Sequence, residues 1–330
     1  MMAEEVAGAV ETRGLGGPAM RRLLAVDGGQ SAIRVRSSIL DEVVEVAGES
    51  RDTSSEDRVA AAVESAWRSL GRPAVDRAVL GMTTAPVDPA QARALAARVG
   101  EAIGAAEVWV CDDAVTCHAG ALSLGWGTSL AAGTGVACLV VPETGEPRIV
   151  GGHGYLLGDE GGAFWIGREG LRAALRASEG RADPTVLGEL ATRRFGPLDS
   201  LPVRVHDDAR SIDAIARFAT DVLAAAESDG VAAGIVGGAA AELHGVIGAA
   251  VRIARSAGTD ERVPVGLGGR LLVEQTPLRA ALDARLAADR TIEARTADAT
   301  PLDGAMLLGS QPTPDRYAPH VHAWRPGGAS

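Results

Sequence analysis

LLAVDGGQSAIRVRSSI, residues 23–39, carries the first structural decision in this chain. LLAVD (23–27) reads as a strand ending on Asp27, Gly28-Gly29 allow a tight turn, and AIRVRSSI (32–39) reads as the strand that returns. The backbone N–H groups of such a turn form a concavity suited to an anion, with Gln30 and Ser31 on its far side. Asp27 at the strand end suits a Mg²⁺ held through water. A plain hairpin with Asp beside Gly is the alternative. The grammar recurs at SLAAGTGVACLVV (129–141): strand, Gly133-Thr134-Gly135, strand. Two such motifs, each opening one half of the chain, can face each other across a cleft and hold a triphosphate between them.

Outward from these turns the pattern alternates. VVEVAG (43–48) is a third strand, 56–70 a helix with an apolar stripe, AVLGM (78–82) a strand, 88–103 a helix and VWVCD (108–112) a strand. The second half holds TSLAAG (128–133), VACLVV (136–141), a strand near 147–150, helices from 162, 184 and 208, and a long helix over about 230–257. VPVGL (263–267), a helix over 274–288, TIEAR (291–295) and a closing helix over 301–309 follow. Two βββ-led units in series predict two related α/β domains with a cleft between them, 21–122 and 123–309. Residues 1–20 read as a disordered arm, with Met20 a candidate translation start, and 310–330, with four prolines, as a flexible tail.

Bulk composition narrows the function classes. The chain has 330 residues, 46% hydrophobic, 23% charged and 3% aromatic, so its core is mostly aliphatic. A net charge of −11 with no basic run argues against nucleic acid. The most apolar segment, Gly230 to Val251, is interrupted by Glu242 and His244, which argues against a membrane span. Cys111, Cys117 and Cys138 form no CxxC pair, and no secretory signal pattern leads the chain, so a reducing cytoplasm is expected.

Three further segments carry candidate chemistry. VWVCDDAVTCHAGA (108–121) ends a strand in Asp112-Asp113 and runs into a helix. One Asp caps that helix and the other projects into the cleft, where a carboxylate can deprotonate a substrate hydroxyl; spacing alone does not say which does which. VPVGLGGRLL (263–272) brings Gly268-Gly269 to a strand-to-helix joint, where bare backbone lets a flat group such as adenine approach. GGHGYLLGDEGGAFWIGREG (151–170) has eight glycines in twenty residues, an Asp159-Glu160 pair and a helix start. There is no GxxxxGK[ST] loop, and GGHGYLLG is not a dinucleotide fingerprint. His320 and His322, in the proline-rich tail and without a third ligand, read as disorder and not as a metal site.

Asp-Gly-Gly turn, strand-Asp, Gly-Thr-Gly turn and late Gly-Gly, in that order, resemble the sugar kinase/heat-shock-70/actin superfamily. Residues 151–169 narrow this further. They resemble the signature of N-acetylglucosamine kinases and the wider BadF/BadG/BcrA/BcrD-type ATPases, which typically reads GGWGxxxGDEGSxxWIG. The resemblance implies two ribonuclease H-like domains of the actin/hexokinase type with an interdomain cleft. It implies ATP and Mg²⁺ as cofactors, transfer of the γ-phosphoryl to a sugar hydroxyl, usually the 6-OH of an amino sugar, and often a homodimer. On that basis Asp27, Gly28, Gly29, Gln30 and Ser31 form the first phosphate motif, Gly133, Thr134 and Gly135 the second, and Gly268 and Gly269 the adenosine motif. Asp113 is the base, and Gly152, His153, Gly154, Asp159 and Glu160 line the sugar pocket.

The departures fall on the sugar side. His153 replaces a Trp, Tyr155 stands where His is common, and GESRDTSSED (48–57) lacks the Asn that contacts an N-acetyl sugar. These departures leave the nucleotide chemistry better supported than the acceptor; the resemblance implies N-acetylglucosamine as the family default, with glucosamine, N-acetylmuramic acid and glucose behind it. The alternative activity is that of the superfamily's dehydratase/reductase activators, ATPases that hold an iron–sulfur cluster between cysteines of two copies.

Overall fold

The computed structural model describes residues 21–29, 32–48, 56–83, 85–272 and 275–327. Gln30, Ser31, the 1–20 arm and most of the 48–57 segment lie outside them. The first half builds β1 (Leu23–Gly28), β2 (Ala32–Ser37), β3 (Val43–Ala47), α1 (Glu56–Ser69), β4 (Arg77–Met82), α2 (Pro89–Ile103), β5 (Glu107–Asp112) and α3 (Asp113–Ala121). The second builds β6 (Gly127–Ala132), β7 (Val136–Val141), β8 (Arg148–Gly151), α4 (Ala163–Ser178), α5 (Leu187–Phe195), α6 (Leu201–Asp207), α7 (Ser211–Ala225), α8 (Gly230–Ser256), β9 (Val263–Gly268), α9 (Pro277–Ala287) and β10 (Ile292–Thr296). The chain closes with α10 (Pro301–Ser310) and β11 (Val321–Trp324).

The two sheets repeat one topology. The first runs β11-β5-β4-β1-β2-β3 and the second β10-β9-β6-β7-β8. In each, the leading strand is central, pairs antiparallel with the strand across its glycine turn, and pairs parallel with a later strand on its other side. Burial explains the order. β1 and β4 are apolar almost throughout and lie inside the sheet, whereas β3 alternates exposed and half-buried positions and lies at the edge.

A joint core ties the sheets together. Ala25, Val79, Trp109 and Cys111 from the first meet Leu139 and Val141 from the second through Ala114, Val115 and Ala119 of α3 and Leu302, Ala305 and Leu308 of α10. Each buried Val or Leu side chain there is worth roughly 1.5–3 kcal/mol against exposure. The second half has its own larger core, into which α8 presses Val236, Leu243, Ile247 and Val251. By length and composition α8 could cross a membrane, but here it packs on β6, β7, β8 and α9.

Two expectations are corrected. The closing helix does not stay with the second half: α10 packs on α3, β1 and β4. The 310–330 segment is also no free tail up to residue 327. A 3-10 turn over Asp315–His320 buries Tyr317, and β11 pairs antiparallel with β5, placing His322 opposite Val110. The reason is that the buried Arg77 guanidinium collects the carbonyls of Gly309, Gln311 and Pro312 at 2.8, 2.5 and 3.4 Å, which fixes the chain along the β5 edge. His320 likewise faces the Pro147 carbonyl at 3.1 Å.

Candidate active site

Parallel pairing puts the ends of β1, β4 and β5 side by side, with Gly28 opposite Met82 and Met82 opposite Asp112. That is the edge where ligands bind in open α/β sheets. The two aspartates of 112–113 divide their roles by backbone position. Asp112 is extended and caps α3, its side chain accepting from the Ala114 N–H at 2.9 Å. Asp113 is the first helical residue, and its carboxylate accepts a hydrogen bond from the Thr83 hydroxyl at 2.5 Å. Burial first, and the Asp112 charge second, push the Asp113 carboxyl up to about 7.

Asp27 is also raised, by burial and then by the charge of Asp113, while Arg34 pulls it the other way. The two carboxylates are thus electrostatic neighbours. Arg34 sits directly across the β1–β2 ladder from Asp27 and approaches it to 3.4 Å, and it also pairs with Glu45 on β3 at 2.9 Å. Half-buried Asp27, beside its half-exposed counter-ion, is a hard-oxygen donor that suits Mg²⁺. Among the described residues no cluster of three metal-ligating side chains occurs.

The second sheet carries the other glycine turn. The 133–135 turn closes through Gly133 N–H to the Gly135 carbonyl at 2.9 Å. The Gly133 and Thr134 carbonyls then accept from the Ala163 and Phe164 N–H groups at 2.8 and 3.0 Å, so the turn seats the start of α4. Asp159 takes a left-handed backbone (φ +60°) and lays its carboxylate on Gly135, where a Cβ would overlap it. The Gly-Thr-Gly turn and the glycine-rich loop therefore share one surface. Gly269, also left-handed (φ +88°), lies so close to the Ala132 carbonyl at the end of β6 that any side chain would collide with backbone.

β8, the strand expected near 147–150, leads into GGHGYLLG. Gly152 and Gly154 both adopt positive φ, and His153 and Glu160 are exposed beside half-buried Asp159. Thr83 and Arg34 escaped the sequence reading. Arg34 was findable as the hairpin partner of Asp27 once the turn length was fixed. Thr83 was findable as the residue that leaves β4 at the level where Asp113 leaves β5. A surface depression of about 560 Å³ between α4 and α5, lined by Ala174, Thr185, Gly188 and Thr192, lies away from all these groups. The three cysteines are free; Cys111 and Cys138 are fully buried, and burial raises all three thiols.

The chain is similar in sequence and in fold to known proteins. An N-acetylmuramic acid/N-acetylglucosamine kinase from Clostridium acetobutylicum is 26% identical over 199 residues, 57% of this chain and 63% of that relative. The aligned part is thus less than two thirds of the relative's own length. Two crystal structures share the fold. One, provisionally assigned as an N-acetylglucosamine kinase from Chromobacterium violaceum, superimposes with a TM-score of 0.66 at 23% identity, over 89% of this chain and 100% of that one. Another, with the same provisional assignment, from Porphyromonas gingivalis, gives 0.68 at 15% identity, over 88% and 99%. The model of the BadF/BadG/BcrA/BcrD ATPase family matches residues 24–309, and the chain belongs to that family.

Proposed function

We propose that the protein is an ATP-dependent sugar kinase that moves the γ-phosphoryl of Mg·ATP to a hydroxyl, the 6-OH, of an amino sugar, N-acetylglucosamine before its relatives. The observation that carries this reading is the meeting of Asp27 and Asp113 at one sheet's strand ends, with a Gly-Thr-Gly turn backed by Asp159 on the other sheet. Phosphoryl transfer needs positioning and charge neutralisation more than covalent chemistry from the protein, and these parts supply both. Asp113 accepts the proton of the attacking hydroxyl; its raised affinity for a proton suits that task near neutral pH. Asp27 holds Mg²⁺ through water, and the metal, when bound, neutralises charge on the phosphates. The 27–31 and 133–135 turns hold the phosphates, Gly268 and Gly269 leave room for adenine, and Asp159 with Gly152, His153, Gly154 and Glu160 binds the sugar. The homodimer and the cytoplasmic location belong to the same proposal.

The activator-type ATPase is disfavoured by the cysteines, because a cluster shared between two copies needs surface thiols and Cys111 and Cys138 are fully buried. An ADP-release screen of N-acetylglucosamine, glucosamine, N-acetylmuramic acid and glucose with Mg·ATP tests the function. One of these sugars should stimulate ADP release, and Asp113→Asn should lower kcat at least about 100-fold with ATP binding retained. Near wild-type turnover in that variant would remove Asp113 from the role.

A further inference from the structure

Thr83 touches both the first glycine turn and the candidate base. Its N–H donates to the Gly28 carbonyl at 2.8 Å, continuing the β1–β4 ladder one step past the last strand pair. Its hydroxyl donates to Asp113 Oδ2 at 2.5 Å. An ionised carboxylate only accepts hydrogen bonds, so the hydroxyl proton is committed to this contact. Besides Thr83, the Asp113 side chain has hydrogen bonds with the Ala114 N–H and the Asp112 side chain, both at its own helix start, so Thr83 is the partner that ties it to β4. Asp112 is engaged in capping α3, and the charges facing Asp113 from β1 and β5 are Asp27 and Asp112, which repel it. Arg34 on β2 reaches Asp27 and not Asp113. Cys117, one turn further along α3, keeps its proton.

We propose that Thr83 is a positioning residue, which pins Oδ2 of Asp113 so that Oδ1 is presented to the acceptor hydroxyl in register with the phosphate turn. The inference rests on the assignment of Asp113 as the base. Its consequence is a division of labour at the strand ends: β1 carries the phosphate turn, β5 the base, and β4 the residue that fixes their relation. Positioning of this kind acts on kcat, since a misdirected base leaves ground-state binding intact.

The test is steady-state kinetics of the full chain with Mg·ATP and the best sugar of the screen, on Thr83→Val, Thr83→Ser, Asp113→Asn and the double variant Thr83→Val/Asp113→Asn. Thr83→Val is nearly isosteric and keeps the N–H, and its melting temperature is measured alongside. The expected result is a kcat lower by about 10-fold with the KM for ATP within about two-fold, recovery in Thr83→Ser, and no additional loss from Thr83→Val in the Asp113→Asn background. Wild-type kcat in Thr83→Val, an equal loss in Thr83→Ser, or a full additive loss in the double variant overturns it. If Asp113→Asn alone keeps its turnover, the assignment of the base has failed instead, and Thr83 with it.

Discussion

At the scale of single residues, the role proposed for Asp113 opposes stability. Its carboxyl releases its proton at about 7 in the fold, against an ordinary value of 3.8, because burial and Asp112 penalise the charge. A group raised in the folded state binds a proton on folding between those two values. Stability from this group therefore falls as pH rises from about 4 to about 7, and the full penalty is present above that window. Asp113→Asn removes the penalty while keeping an oxygen for Thr83. Thermal denaturation of the ligand-free protein should show the Asn variant more stable at pH 8, by on the order of 1 kcal/mol or more. The gain should vanish at pH 4. A variant less stable than wild type at pH 8 would mean that the buried charge is compensated by something other than Thr83. The site's chemistry was legible at this scale only where it was written in glycine and aspartate. Asp27, Asp113 and Asp159 stand beside turns that announce them. Thr83 does not, because a threonine after a strand has no special backbone need, and its meaning comes from which strand lies next to it.

At the scale of elements, α3 is the hinge between base and core. It starts with Asp113 and buries His118, whose Nε2–H donates to the Gly127 carbonyl at 3.3 Å while Nδ1 accepts from the Tyr317 hydroxyl at 2.9 Å. That arrangement needs neutral imidazole, and burial depresses the ring to about 4 from an ordinary 6.5. Here the unfolded chain binds the extra proton, so stability is lost as pH falls from about 6.5 to about 4. His118→Gln, followed by denaturant unfolding across that range, should show a shallower decline, with the two slopes differing by a total of about 2–3 kcal/mol. Parallel slopes would mean that His118 takes up its proton without leaving the fold. The regular elements themselves were largely readable, to within a residue or so for most strands, because period-2 and period-3.6 patterns are local. The short α6 was not, since seven residues with Pro at the start carry too little periodicity. β11 was hidden for a stronger reason. It is a four-residue edge strand among prolines, and only the partner strand β5 gives it a place.

At the scale of the whole molecule, the duplicated sheet topology follows from two strand–glycine turn–strand openings. What closes the molecule came from no motif. Arg77 and Glu107 lie on adjacent parallel strands, face each other across the ladder at 2.6 Å, and are both nearly inaccessible. The guanidinium also stacks 3.7 Å from the Trp109 ring, while Glu107 accepts from Trp109 Nε1 at 2.9 Å and from Arg325 at 2.8 Å. One buried carboxylate thus binds the edge of the first sheet to the last residues of the chain, and Arg77 binds the end of α10. Buried ion pairs give little net stability against an apolar replacement, but removing one partner strands the other. Glu107→Ala leaves the Arg77 charge without its carboxylate and Arg325 without its anchor, so it should cost about 3–5 kcal/mol in denaturant unfolding. Limited proteolysis should then cut within 311–327 before anywhere else. Because α10 also packs on β1 and α3, which carry Asp27 and Asp113, loosening this clasp should lower kcat for sugar phosphorylation as well, although no residue of the clasp touches the site. A Glu107→Ala protein that resists proteolysis and melts like wild type would show that the carbonyl contacts of Arg77 suffice to hold the C-terminal strand.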